Sequence, residues 1–158
     1  MLKAIILHWT AGGYFPNTID LRAYHFLVDK NGKTYNGFYI PKDNENCTDG
    51  NYAAHTGGGN TGRIGIAICC RKDLKTPPTQ KQVEAMCKLA AQCCIKYGIL
   101  PQNVQTHAEF GLEHPKTSSA GKIDINSLPY ANLSGIKTCG DYLRNKVNWY
   151  YLKEKNGK

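Results

Sequence analysis

The sequence lacks the features of membrane-spanning, repeat and multidomain proteins. Its 158 residues contain no apolar run of about 18 residues, which excludes a transmembrane helix, so we expect no membrane insertion. No internal repeat, low-complexity segment or linker interrupts the chain, so we expect a single domain over residues 1–158. An apolar stretch begins directly after Lys3 and leaves no room for a signal peptide, which predicts synthesis without one.

A metal-binding or redox cysteine motif is also absent. The chain has seven cysteines, but no pair has the C-x-x-C spacing, which argues against a zinc finger or a thioredoxin-like site. Five of the seven lie in segments that we predict to be buried strand or helix, where a free thiol behaves as a small apolar side chain. The composition therefore indicates a protein that is made and folded in a reducing cytoplasm.

The positive charge is not concentrated in a nucleic-acid-binding pattern. Lys and Arg exceed Asp and Glu by eight, which favours polyanionic partners such as nucleic acid, anionic lipid or bacterial envelope polymers. The basic residues are spread along the chain and lack interleaved stacking aromatics, so we expect no nucleic-acid partner. The Gly57-Gly58-Gly59 run lacks the lysine and Ser/Thr that follow in a P-loop, which argues against a phosphate-cradling loop.

Apolar stretches interleaved with helical patterns predict an α/β fold with a central mixed β-sheet flanked by helices. Residues 4–7 form one apolar run, and residues 64–70 form a second run that we expect in the middle of the sheet. Residues 24–30 alternate between apolar and polar, and Asn31-Gly32 predicts a type I′ turn into a returning strand. An antiparallel hairpin beside strands of the parallel type makes the sheet mixed.

Two longer helices are predicted in the second half of the chain. Thr79 and Gln82 have the spacing of a capping box, and the helix that they start continues at helical periodicity through Tyr97. A final helix is expected over about residues 141–152. The polar residues 153–158 are expected to form a frayed tail.

The remaining residues are predicted to form a short helix and two long loops. Asn17 or Thr18 can cap a helix that ends near Leu21. Residues 41–62 are polar and rich in glycine, and because loops of this length are usually functional, we expect one wall of a cleft here. A second loop is expected over residues 109–130.

Two histidines follow predicted strands, at the points where a sheet delivers polar side chains to the edge of a cleft. His8 ends the first apolar run, and His107 follows a short strand over residues 104–106. A hydrolytic zinc site needs three protein ligands and a fourth position for water. The sequence leaves the third ligand open, with candidates Cys47, Glu109, Glu113, His114 and Asp124.

Short motifs occur in a recognisable order along the chain. They are His8 with Thr10-Ala11, Tyr24-His25-Phe26, Asn31-Gly32, Ala54-His55, Gly65-Ile66-Ala67-Ile68, Thr79 with Gln82, Thr106-His107-Ala108-Glu109 and Lys122-Ile123-Asp124. In this order and spacing the chain resembles the amidase-2 family of zinc-dependent N-acetylmuramoyl-L-alanine amidases. That family includes phage lysozymes with amidase activity and peptidoglycan recognition proteins.

The resemblance implies a zinc site at the strand ends and two catalytic residues. His8, His107 and Asp124 would be the ligands of one Zn²⁺ per chain, since family members carry either Asp or Cys at the third position. Tyr24 matches the family's catalytic tyrosine, and Lys122 matches the catalytic lysine of its phage members. We therefore expect all five side chains to line one cleft.

Two further residues have implied roles beside the metal. His55 corresponds to a histidine at the cleft wall and is expected to contact substrate, and Glu109 could orient a ligand by a hydrogen bond from behind it. Ile125 follows Asp124 where a proline is usual in the family. His114 is the alternative third ligand if this loop aligns differently.

The family's reaction is hydrolysis of the amide between the lactyl group of N-acetylmuramic acid and the L-alanine that begins the stem peptide of peptidoglycan. We expect a monomeric phage or prophage endolysin that is made in the host cytoplasm and acts on the cell wall after release. Two alternatives stay open, namely a non-catalytic muropeptide-binding protein of the same fold and a zinc peptidase that cuts within the stem peptide. A binder usually lacks the third ligand, whereas Asp124 is present here.

Overall fold

A five-stranded mixed sheet lies at the centre of the computed structural model, which describes residues 1–71, 73 and 75–157. The strands are β1 (Ala4–Trp9), β2 (Phe26–Val28), β3 (Thr34–Asn36), β4 (Arg63–Ile68) and β5 (Val104–Thr106). Their spatial order is β3-β2-β4-β1-β5, with β2, β4, β1 and β5 parallel and β3 antiparallel to β2. The predicted α/β class and the central position of the second apolar run are confirmed.

In the described part of the chain four α-helices flank the sheet: α1 (Thr18–Ala23), α2 (Gln80–Tyr97), α3 (His107–Glu113) and α4 (Ile136–Asn156). The predicted capping box of α2 forms, because Thr79 accepts from the Gln82 backbone and Gln82 accepts from the Thr79 backbone. Gly98 ends α2 in the left-handed conformation at φ 69°, which a glycine adopts at little cost. Asn17 is the cap of α1. None of these helices is long and apolar enough to cross a membrane in the described part of the chain.

Side-chain alternation along β1 sends its residues to the two faces of the sheet. Ile5, Leu7 and Trp9 join the hydrophobic core that α2 and α4 cover. His8 lies between Leu7 and Trp9, so its buried imidazole faces the other side, where the long loop over residues 41–62 packs. The alternation therefore separates the apolar core from a polar layer on the opposite face.

The hairpin between β2 and β3 forms, but its turn differs from the predicted type I′. Among the described non-glycine residues only two have a positive φ, and Asn31 is not one of them. The loop has three residues, closed by the Asp29 amide donating to the Lys33 carbonyl at 2.9 Å, with Gly32 at φ 86°. The Asp29 carboxylate accepts from the backbone amides of Asn31 and Lys33, which stabilises this longer turn.

The region after β5 contains more regular structure than the sequence suggested. Helix α3 begins at His107 and includes the first residues of the loop that was predicted over residues 109–130. A small hairpin of β6 (Ser127–Leu128) and β7 (Leu133–Ser134) follows. Helix α4 begins at Ile136 and continues to Asn156, so the predicted frayed tail is helical over most of its length. Lys and Glu favour helix, which accounts for the extension, and Lys158 lies outside the described residues.

The loop over residues 41–62 is held in place by one buried amide. Asn44 donates to the carbonyls of Ala53 and Asn60 at 2.9 and 3.1 Å, and its Oδ1 accepts from the Ala53 amide. The same Oδ1 accepts from His25 Nε2 at 2.8 Å. Because Asn44 is fully buried and all of these hydrogen bonds are within the protein, they hold the loop against the sheet.

Candidate active site

Three buried side chains from separate parts of the chain meet at the carboxyl ends of β1 and β5. Leu7 of β1 pairs with Thr106 of β5, so the residues that follow them, His8 and His107, lie side by side. The Asp124 carboxylate bridges them, with Oδ2 3.2 Å from His8 Nδ1 and Oδ1 3.3 Å from His107 Nδ1. One ligand atom from each of the three residues lies within 4.8 Å of the others, a spacing that can hold a metal ion.

Outer hydrogen bonds assign the protonated nitrogen of His107. The Ser119 hydroxyl donates to the Gly57 carbonyl at 2.7 Å, so its oxygen is left to accept from His107 Nε2 at 3.0 Å. Ser119 is fully buried. In the tautomer that donates to Ser119 from Nε2, the His107 imidazole has its Nδ1 lone pair available to a metal ion beside Asp124.

A similar set of contacts surrounds the outer nitrogen of His8. His8 Nε2 lies 3.1 Å from His55 Nδ1 and 3.4 Å from Thr56 Oγ1. His55 Nε2 lies 3.2 Å from the Arg63 carbonyl, to which it must donate, so His55 Nδ1 is an acceptor. The proton of His8 therefore belongs on Nε2, which leaves the Nδ1 lone pair beside Asp124.

The charge states of the cluster fit a divalent cation. Burial lowers the pKa of His8 to about 4, so its imidazole is neutral at neutral pH. Burial alone would raise the pKa of Asp124. In the metal-free protein the imidazoles can donate to Asp124 through Nδ1 instead, and these hydrogen bonds outweigh the effect of burial and hold the pKa of Asp124 below its usual range, so its carboxylate is ionised. Imidazole nitrogen and an ionised carboxylate are ligands that zinc prefers. The residues present therefore fit a Zn²⁺ ion with three protein ligands.

His107 and Asp124 line the floor of a cleft of about 530 Å³, and His8 is fully buried beneath them. The wall of the cleft includes Trp9, Thr10, Tyr24, Lys122 and Ile123. The Tyr24 ring lies 5.0 Å from the His8 ring between centroids, and burial, with the nearby Asp124 charge, raises the pKa of its hydroxyl. The hydroxyl therefore stays protonated and can donate, and the exposed Lys122 ammonium lies at the same rim.

The predicted residues other than the cluster have different surroundings. His55 lines the cleft, its ring is buried, and both of its nitrogens contact protein atoms of His8, Thr56 and Arg63. Its contact with substrate stays a prediction. The Glu109 carboxylate accepts from the Thr106 amide and pairs with Arg144 at 2.9 Å, and none of its described bonds reaches a ligand imidazole. It fastens α3 to α4 instead.

His114, the alternative third ligand, lies outside the cluster. Its ring stacks on Phe110 at 3.9 Å between centroids, and its Nδ1 donates to the Phe110 carbonyl at 2.9 Å. The group of described residues that could hold a metal contains Asp124 and not His114. The structure therefore brings Asp124, and not His114, together with the two histidines.

Sequence reasoning missed the residues behind the ligands. Thr56 and Ser119 are small polar residues in loops, and no spacing distinguishes them from solvated neighbours. The start of α3 had a readable signal, because Thr106 and Glu109 form a capping box with the same spacing as Thr79 and Gln82.

Comparison with known proteins identifies the fold and the family of the chain. One solved structure that shares the fold is N-acetylmuramoyl-L-alanine amidase LysC from Clostridium intestinale URNW, with a TM-score of 0.57 and 17% identity, covering 93% of this chain and 85% of that chain. A second is AmiD from E. coli, with a TM-score of 0.56 and 22% identity, covering 79% of this chain and 52% of that chain. A third is the Ph2119 endolysin of a Thermus scotoductus MAT2119 bacteriophage, at TM-score 0.50 and 18% identity over 68% and 72%. No curated protein matches the sequence. The family model described as N-acetylmuramoyl-L-alanine amidase matches residues 2–124, a span that includes the whole cluster, and the chain therefore belongs to the N-acetylmuramoyl-L-alanine amidase family.

Proposed function

We propose that the protein is a zinc-dependent amidase that separates the stem peptide from the glycan of peptidoglycan. The bond cut is the amide between the lactyl group of N-acetylmuramic acid and L-alanine. The observation that carries the proposal is the buried cluster of His8, His107 and Asp124 at the floor of a cleft, in a chain of the amidase family. In the AmiD structure the substrate is anhydro-N-acetylmuramic acid-L-Ala-D-gamma-Glu-L-Lys, which contains an amide of this type.

The protein's part in the reaction begins with holding the metal. His8 and His107 would bind Zn²⁺ through Nδ1, and Asp124 through its carboxylate, with one ion per chain. When bound there, zinc supplies a Lewis acid that polarises the carbonyl and lowers the pKa of water to near 7. The surrounding hydrogen bonds keep both imidazoles oriented before substrate arrives, so no reorientation is needed during the reaction.

Tyr24 and Lys122 are the proposed donors to the developing oxyanion. Hydrolysis of an amide passes through a tetrahedral species whose oxygen carries negative charge, and preorganised donors stabilise it more than they stabilise the substrate. The Tyr24 hydroxyl is protonated because its pKa is raised by burial, and the Lys122 ammonium adds a positive charge at the rim of the same cleft. One such donor lowers the barrier by roughly 3 kcal/mol.

The biological setting that we propose is release of an endolysin onto the cell wall. The Ph2119 neighbour is named as an endolysin, and LysC is named as an amidase of a bacterium. A surplus of eight positive charges suits a wall that carries anionic polymers. We propose synthesis in the host cytoplasm and action on peptidoglycan as a monomer.

Digestion of purified sacculi tests the reaction directly. The zinc-loaded protein should release stem peptides with a free N-terminal L-alanine and without new reducing sugar ends. A chelator should abolish the release, and added zinc should restore it. Wall binding without peptide release would indicate a binding protein, and new amino groups on other residues would indicate a peptidase; either result would overturn the proposal.

A further inference from the structure

We propose that Ser119, His55 and Thr56 are positioning residues that hold the proton of each ligand histidine on Nε2 and so keep both Nδ1 lone pairs available for the metal. This inference rests on the proposed zinc site. It gives the loop over residues 41–62 a role at the metal site, although this loop contributes none of the three metal ligands. The segment over residues 54–59 supports both histidines at once.

The support of His107 is a two-step chain of hydrogen bonds. Asp124 competes for the imidazole proton, since its carboxylate lies 3.3 Å from His107 Nδ1. On the other side, the Ser119 hydroxyl is committed to the Gly57 carbonyl at 2.7 Å, the shorter of its two contacts. Its oxygen therefore offers an acceptor to Nε2 and opposes the transfer of the proton to Nδ1.

The support of His8 comes from a bonded pair of residues, because the Thr56 hydroxyl donates to the single lone pair of His55 Nδ1 and the Nε2–H of His8 is shared between these two atoms. Thr56 Oγ1 lies 2.7 Å from His55 Nδ1, and the two atoms lie 3.4 and 3.1 Å from His8 Nε2. His55 is anchored by its bond to the Arg63 carbonyl, and Thr56 by its amide, which donates to Asn60 Oδ1 at 2.7 Å. These anchors prevent either acceptor from turning away from His8.

The Gly57-Gly58-Gly59 run permits this arrangement. A Cβ at Gly57 would lie 1.8 Å from Ser118 Oγ, and one at Gly58 would lie 2.4 Å from Thr117 Cγ2. The restriction is strongest at Gly58, which has φ 80° and where a Cβ would also lie 2.6 Å from Thr117 Cβ, so a side chain there would move the segment and the Gly57 carbonyl away from Ser119. The run therefore joins two loops behind the metal site, since residues 56 and 57 serve different histidines.

Zinc affinity and one proton resonance test the role of Ser119. In Ser119→Ala, we expect competition with a chromophoric chelator to give a zinc dissociation constant raised about 10- to 100-fold. In zinc-loaded, 15N-labelled protein, the Nε2–H proton of His107 should exchange with water faster than in the wild type. Ser118→Ala is the matched control, because Ser118 is an exposed neighbour, and it should leave both measurements unchanged.

Thr56 offers a pair of variants that separates the hydroxyl from packing. Thr56→Val keeps the shape and removes the acceptor, so it should weaken zinc binding by about 10-fold and alter the exchange of the His8 Nε2–H proton. Thr56→Ser keeps the hydroxyl and should bind zinc within about 3-fold of the wild type. Equal losses in both variants would attribute the effect to packing and would overturn the role of Thr56.

The outcomes distinguish this inference from the proposed function. A wild type that bound no zinc would overturn both. A wild type that bound zinc and released stem peptides, together with a folded Ser119→Ala variant of equal zinc affinity and equal proton exchange, would overturn only the positioning role. Circular dichroism and thermal unfolding of the metal-free variants establish that the fold is intact.

Discussion

The imidazole of His55 lies against the backbone of Gly65, so closely that a Cβ at Gly65 would be 2.4 Å from His55 Cγ. Gly65 is in the central strand β4, on the face of the sheet that also carries His8. The missing side chain provides the space in which His55 reaches His8 Nε2. A glycine in the middle of an otherwise apolar strand therefore has a role at the site.

Gly65→Ala should displace His55 and weaken the metal site. The strand can keep its hydrogen bonds, but the ring must move away from the added methyl group, and the contact with His8 is lost. We expect zinc affinity to fall by about 10-fold in a chelator competition assay. Gly13→Ala is the control, since nothing lies within 4 Å of a Cβ there. A Gly65→Ala variant with wild-type affinity would contradict the coupling between His55 and the metal.

The metal content of two variants should show whether Asp124 or His114 is the third metal ligand. Asp124→Ala removes the carboxylate that bridges the two imidazoles and should reduce zinc from about one ion per chain to near zero after dialysis. His114→Ala removes a ring that stacks on Phe110 and should keep the ion. Atomic emission on the purified proteins, with protein concentration from amino-acid analysis, gives the ratio. Zinc loss in His114→Ala with retention in Asp124→Ala would reverse the assignment.

The sequence was sufficient for elements whose determinants are local. Apolar runs predicted β1 and β4, and the capping box at Thr79 together with helical periodicity through Tyr97 predicted α2. The hairpin turn was misjudged because Asn31-Gly32 is compatible with two loop types, and the Asp29 carboxylate selects the longer one. That selection depends on a side chain outside the dipeptide.

The residues of the candidate site also fall into those that the sequence predicted and those that depend on long-range contacts. The ligand histidines follow apolar strands and were recognisable, whereas the choice of Asp124 needed a motif, because a loop after α3 can present several donors. Ser119 and His55 reach the site through contacts 12 and 47 residues away in sequence, and loop packing of this kind leaves no periodic trace. The ends of β1 and β5, which carry His8 and His107, are adjacent because these two strands pair in the sheet. The sequence does not show which strands pair.

Tyr24→Phe and Lys122→Ala should each lower turnover without releasing the metal. Each removes one donor to the oxyanion, so kcat on a soluble muropeptide should fall by at least about 10-fold, and zinc content should stay near one per chain. Lys116→Ala, which changes an exposed lysine earlier in the same loop, should retain full activity. Unchanged kcat in both cleft variants would remove Tyr24 and Lys122 from the mechanism.

Stability of the metal-free protein should fall as pH decreases from 6.5 to 4, in part because of His25. Burial lowers the pKa of His25 to about 4, although its bond to Asn44 opposes the shift. Between these two pH values the unfolded chain binds a proton that the folded protein does not, so the free energy of unfolding decreases with falling pH. Above pH 6.5 the group is neutral in both states and contributes no pH dependence.

The size of the His25 effect can be measured by substitution. A shift of this size corresponds to about 3 kcal/mol at most between pH 6.5 and 4. Urea unfolding in the presence of a chelator should show a smaller loss of stability over this window in His25→Gln than in the wild type. Identical pH dependence in the two proteins would mean that another group causes the decrease.

Salt should affect lysis of whole cell walls much more than cleavage of the bond itself. The net charge of +8 attracts an anionic wall over a distance set by the Debye length, which shortens from about 30 Å at 0.01 M salt to about 3 Å at 1 M. Turbidity loss of wall suspensions should therefore decrease steeply across that range. Hydrolysis of a soluble muropeptide is the control and should change little, because that substrate has few charges and needs no long-range attraction. Equal salt dependence in the two assays would place the effect in the cleft and would argue against electrostatic attraction to the wall.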